Sequence, residues 1–214
     1  MNTTYIDHIT VTAPTLAAGV DYVRQALGVT PLRGGEHPRM GTHNCLLRLG
    51  AELFLEVIAV DPAAAPPGRP RWFRLDDAAF NCRPRLAAWV ARSDDIEAAV
   101  AACAWTPGAI EPMTRGALSW RITIPADGGM ALDGAAPGLI QWDAAAHPAG
   151  AMAELGCSLL RLEIRHPDAG RVRAALAGID CAGPLLVAPP GAGAAPYLVA
   201  HVQTPTGARR LGGP

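Results

Sequence analysis

Two periodicities alternate along the chain. Tyr5 to Thr12 reads as a strand, and Leu16, Val20, Val23 and Leu27 recur at the spacing of one helical face. A glycine-punctuated loop, Gly34 to Gly41, precedes strands at Thr42–Leu49 and Glu52–Ala59. On the first strand Ile9 and Val11 fall on one face, with Ile6, His8 and Thr10 on the other. On the last, Leu53, Leu55 and Val57 share a face, and Phe54, Glu56 and Ile58 share the opposite one. The helical stripe needs an apolar partner, which Ile9/Val11 and Leu53/Leu55/Val57 supply. His8 and Glu56, polar residues in otherwise apolar strands, are therefore expected on the sheet's other, concave face.

The same order then recurs. Leu86–Arg92 is a strand, Ser93 opens a helix with Ile96, Val100 and Cys103 on its stripe, and strands follow at Ala109–Thr114, Leu118–Ile124 and Leu139–Trp142. Between the two copies lies a Pro/Ala connector, 61–70. Arg71–Leu75 follows it, as a packed turn or a lid over the concave face. A linker near His147–Gly150 leads to a shorter copy. It comprises a strand (Leu159–Arg165), a helix (Asp168–Gly178) and strands at Pro184–Val187 and Tyr197–Gln203, with Gly207–Pro214 as a loose tail. The expectation is an α+β fold. Tandem βαβββ modules (1–60 and 83–143) form an open barrel-like sheet, a partial third βαββ unit spans 157–206, and the whole is one compact domain.

Composition narrows the function. A chain of 214 residues, half hydrophobic and 17% charged, can bury a sizeable core and is not of the disordered class. The net charge of −1 leaves no electrostatic footprint for nucleic acid or an anionic membrane. All 18 basic residues are arginine, which removes Schiff-base and lysine-base chemistry. The five cysteines are scattered and form no C-x-x-C pair. Without a secretory signal or a long apolar span, the expected setting is the cytoplasm.

The first sixty residues carry a more specific signal. Asp7-His8-Ile9, Gly34-Gly35, His37-Pro38, Gly41-Thr42, Asn44, Leu49-Gly50 and Leu55-Glu56 together resemble the glyoxalase-like domain family of the vicinal-oxygen-chelate superfamily. That resemblance implies two modules enclosing a divalent metal (Zn, Mn, Fe or Ni), held by residues of the first and last strand of each. His8 and Glu56 match the ligand positions of the first module. In the second, Ala88 falls opposite His8 and Gln141 opposite Glu56, so the metal set is incomplete and the protein holds a metal weakly or none. A buried His8–Glu56 hydrogen-bonded pair without a ligand role is the alternative.

The remaining candidates follow from alternation. Thr42, Asn44 and Arg48 are expected to line the cavity, as are Ser119, Arg121 and Thr123; Asn44, Arg48, Arg121 and Gln141 are the substrate-binding candidates. Burial of Arg48 demands an acidic neighbour or an anionic ligand. Trp142 is placed beneath the helix and Trp120 in the core. His37 is assigned to an exposed loop or a loop-fixing hydrogen bond, and His43, His166 and His201 to structural roles. The implied function is a glyoxalase-like enzyme of the lyase/isomerase or dioxygenase type, acting on a substrate with adjacent oxygens. Glu56 would move a proton and His8 would stabilise the enediolate charge. The alternative is a non-catalytic protein of the bleomycin-resistance type that sequesters a small molecule. The partner is a small molecule, and a homodimer through the third unit stays open.

Overall fold

The computed structural model describes residues 3–143 and 147–214. Its first five elements are β1 (Thr4–Thr12), α1 (Leu16–Leu27), β2 (Leu32–His37), β3 (Thr42–Gly50) and β4 (Leu53–Val60). The second set is β5 (Arg85–Arg92), α2 (Ile96–Ala101), β6 (Ala109–Arg115), β7 (Leu118–Ile124) and β8 (Gly138–Trp142). Strand, helix and three strands thus occur twice, as the patterning implied. They join into one curled sheet ordered β2-β3-β4-β1-β5-β8-β7-β6. The seam is the antiparallel pairing of the two first strands, with His8 opposite Val90 and Thr10 opposite Ala88.

Local chemistry explains the punctuation. Thr15 caps α1 by accepting from the backbone N–H of Ala18, and Gly28 ends it at φ 74°. In the second module the cap is Asp95, not Ser93, and α2 begins at Ile96. Where the glycine pattern predicts a loop there is a strand: β2 pairs with β3 from Leu32 to His37, broken by an irregularity between Arg33 and Glu36. Two glycines there erase the alternation on which a strand reading depends.

The convex face of the sheet is covered by more than helices. β9 (Ser158–Arg165), α3 (Ala169–Gly178), β10 (Cys181–Ala182), β11 (Leu185–Ala188), β12 (Tyr197–Thr204) and β13 (Gly207–Gly212) complete the chain. β11-β9-β12-β13 form a second sheet, and β10 pairs with β1. Leu162, Ile164, Leu198, Val202 and Leu211 share one core with Ile9, Leu55 and Trp89. The segment from Gly207 is therefore an edge strand, not a loose tail. Leu211 is fully buried, and the N–H of Gly212 donates to the Tyr22 hydroxyl at 3.1 Å. Replacing Leu211 by alanine should lower unfolding free energy by about 2–5 kcal/mol, read by denaturant titration. A tail would give no change.

His43, His166 and His201 each have local partners. His201 Nε2 lies 2.9 Å from Glu163 Oε1, His166 Nδ1 accepts from the N–H of Asp168, and His43 faces Asp61 at 3.9 Å.

Candidate functional site

Most of the concave face is filled by apolar side chains, including Met40, Ile58, Val90, Ile122, Ile124 and Ile140. One end is polar. There a small cavity, about 40 Å³ in volume, is lined by His8, His37, Asn44, Glu56 and Arg115 within an aromatic wall that includes Phe54, Trp72, Trp120 and Trp142. That volume holds roughly two or three waters. Trp72 and Phe73 reach it from the 3-10 turn at 72–74, so the Arg71–Leu75 segment is both a packed turn and a cover. Phe73 and Arg74 lie at φ 56°, a strained conformation for residues other than glycine.

His8 and Glu56 meet as strand alternation requires. His8 Nε2 and Glu56 Oε2 are 3.8 Å apart, both side chains buried. This exceeds hydrogen-bond length, so each atom keeps its bonding capacity toward the cavity. The imidazole stacks on Phe54, centroids 4.7 Å apart. Glu56 Oε1 accepts from Asn44 Nδ2 at 2.6 Å. Asn44 Oδ1 accepts the N–H of Gly35 at 2.9 Å, which fixes the amide's orientation. Gly34 makes room for it: a Cβ there would stand 2.1 Å from Asn44 Oδ1.

Behind His8 lies a carboxylate that alternation would have sent to the other face. The β1–β5 register shifts between Ile6 and His8, a bulge at Asp7 that lets neighbouring side chains meet. Asp7 has no solvent exposure. Its Oδ1 is 2.6 Å from His8 Nδ1, and its Oδ2 accepts from Trp142 Nε1 at 2.8 Å and lies 2.9 Å from His147 Nε2. Burial alone would raise its pKa, but the hydrogen bonds from His147 and His8 hold the carboxyl well below its ordinary 3.8. For His8 burial opposes the charge, yet the Asp7 hydrogen bond and the charges of Asp7 and Glu56 win, and its pKa rises above 6.5. The anionic Asp7 accepts from Nδ1–H and turns Nε2 into the cavity, where it carries a proton when the imidazole is charged.

His37 behaves oppositely. Burial pushes its pKa down to about 4, so it is neutral at pH 7. Arg115 Nη1 lies 3.3 Å from its Nε2, and a guanidinium only donates. Nε2 is therefore the acceptor, and Nδ1–H donates to Thr42 Oγ1 at 3.2 Å.

The other expected binders lie elsewhere. Gln141 Oε1 accepts from the N–H of Ile96 and from Arg121, which also pairs with Glu97; the three gather at the start of α2 on the helix side of the sheet. On β8 it is Ile140 and Trp142 that face the cavity, and on β7 Trp120 and Ile122. On β7 the polar and apolar residues alternate cleanly, but it is the apolar face that turns to the cavity, the reverse of the expectation that polar side chains line it. Arg48 finds the acidic neighbour its burial demanded, Glu154 at 3.5 Å, and does not line the cavity. Asp7, His37, Arg115, Trp142 and His147 were the residues missed.

A divalent metal is tested by this donor set. Among the described residues no group of three or more His, Cys, Asp or Glu side chains gathers to hold one. His8 Nε2 and Glu56 Oε2 are the two donors facing each other, the second module presents Val90 and Ile140, and the Arg115 cation shares the cavity. Two donors beside a fixed positive charge do not fit a tightly held ion.

A βαβββ repeat joined into one curled sheet is the architecture of the vicinal-oxygen-chelate superfamily, which places the chain among small-molecule enzymes and binders. The chain belongs to the glyoxalase-like domain family, whose model matches residues 6–179. Among solved structures, a hypothetical protein from Staphylococcus aureus is similar over 82% of this chain and 74% of its own, at 14% identity and a TM-score of 0.58. That likeness shows the fold. Methylmalonyl-CoA epimerase from Mycobacterium tuberculosis matches more weakly, at 12% identity and a TM-score of 0.39 over 64% of this chain and 85% of that one. Comparison with curated proteins gives no match.

Proposed function

We propose that the cavity is an acid–base site that moves a proton at a carbon next to a carbonyl group, as in glyoxalase-like isomerases and lyases. The observation that carries this reading is the free facing pair, His8 Nε2 and Glu56 Oε2, at 3.8 Å. Glu56 Oε2 takes the proton from carbon, while Asn44 holds the other oxygen in place. His8, protonated and anchored on Asp7, donates from Nε2 to the substrate oxygen on which negative charge develops. Return of the proton to carbon completes an isomerisation, and loss of a neighbouring group completes an elimination. The burial of the pair within an aromatic wall keeps the proton transfer local.

The test is carbon–hydrogen exchange in D₂O, followed by proton NMR over a panel of 2-hydroxy and 2-oxo compounds, with and without chelator. Exchange that survives chelation is expected. Its absence across the panel, in folded protein, counts against the enzyme and leaves sequestration, the reading that the aromatic wall itself favours. Exchange abolished by chelation and restored by a divalent ion would mean that a metal does the work assigned to His8.

A further inference from the structure

One cation in the cavity has no part in the proton transfer. Arg115 ends β6, and its stem lies along Gly35, where a Cβ would come within 2.9 Å of Arg115 Cδ. The second glycine of β2 is what lets the arginine pass. At the site, Nη1 is held by two neutral acceptors, Asn44 Oδ1 at 3.4 Å and His37 Nε2 at 3.3 Å. Among the described residues Arg115 forms no ion pair, and its Nε and Nη2 have no hydrogen-bond partner. Neither atom is sealed from solvent as Arg69 Nε and Arg85 Nε are. An open Nε–Nη2 edge is the two-pronged donor that fits a carboxylate.

The spacing says which carboxylate. The one Asn44 amide touches both Arg115, through Oδ1, and Glu56, through Nδ2. The guanidinium and the Glu56 carboxylate therefore flank one amide group, a separation that suits a carboxylate, the carbon bonded to it and the carbon beyond. Arg115 also borders a wider depression of about 300 Å³, with Leu32, Leu46, Leu118 and Met152 among its walls. A substituent too large for the inner cavity has a place to lie there, between these apolar walls and the side chains of Arg33 and Arg48.

We infer that the site takes 2-oxo carboxylates and their 2-hydroxy counterparts, with the carboxylate on the Nε–Nη2 edge of Arg115, the C2 oxygen at His8 and, in the 2-oxo acid, the exchanging C3–H at Glu56. The assignment of that carbon rests on the acid–base reading above; the carboxylate anchor does not. Four probes test it on the full chain by calorimetry or ligand-observed NMR: lactate and pyruvate against their neutral amides, lactamide and pyruvamide. The acids should bind about tenfold more tightly or better, the worth of a charge-assisted hydrogen bond. Arg115→Met should abolish that difference. Arg115→Lys, which keeps the charge and loses the fork, should retain only part of it and serves should the methionine variant fail to fold. Equal binding of acid and amide, an undiminished preference in the folded variants, or no binding of any probe overturns the inference. Inorganic phosphate competing as well as lactate would overturn the choice of carboxylate. Carbon–hydrogen exchange is read in the same samples. Carboxylate preference without exchange sinks the acid–base reading and leaves the anchor, whereas exchange without preference does the reverse.

Discussion

Replacing Glu56 by glutamine should slow carbon–hydrogen exchange by about 10²–10³-fold while ligand affinity changes only a few-fold. The substitution is nearly isosteric. Gln can still present an oxygen to Asn44 Nδ2, the bond that now holds Glu56 at 2.6 Å. The position of Oε2, facing His8 at 3.8 Å, would carry an NH₂ group, which donates and cannot accept the substrate proton. Affinity resides chiefly in other groups, so binding and chemistry should part. An E56Q protein that exchanges at the native rate would remove Glu56 as the base. One that loses exchange and affinity together would make it a binding residue.

Replacing Asp7 by alanine should cost about 3–5 kcal/mol of stability, a fall in Tm of roughly 10 °C for a chain of this size. The carboxylate is fully buried and receives His8, Trp142 and His147 from three separate parts of the chain. Alanine leaves all three ring nitrogens without their acceptor and removes the anion that holds the His8 charge. The pH dependence follows from the sign of each shift. Asp7 is depressed below 3.8, so its contribution is present above that pH and declines as pH falls below it toward the folded value. His8 is raised above 6.5, so its contribution is complete below that pH and is lost as pH rises through the folded value. In Asp7→Ala both limbs should flatten, measured by denaturant titration from acid to mildly alkaline pH. A loss under 1 kcal/mol would show that the network is incidental.

Legibility followed how evenly a strand is covered. His8 and Glu56 stand out because each is the one charged or ring-nitrogen side chain on an apolar face, and Asn44 follows from simple alternation on β3. β7 alternates cleanly, but Arg121 turns to Glu97 and Gln141 at the start of α2 while Trp120 and Ile122 turn to the cavity with Ile140 and Trp142 of β8; alternation separates the faces without saying which one lines a site walled by aromatic and apolar side chains. Asp7 was hidden by a bulge, which alternation cannot contain. His37 was hidden by the glycines that make β2 look like a loop, and those same glycines admit Asn44 and Arg115. Trp142 and His147 reach Asp7 across 135 and 140 residues. No local pattern encodes a contact of that range.

The account turns on a charged His8 facing Glu56 and a neutral His37 beside them. An NMR titration of the six histidine rings, with His8→Gln and His37→Gln to assign the two signals, measures this directly. His8 should titrate above 6.5 and drop on Asp7→Asn, while His37 should stay neutral down to about pH 4. A His8 that loses its proton below 6.5, or does not respond to Asp7, would contradict the account.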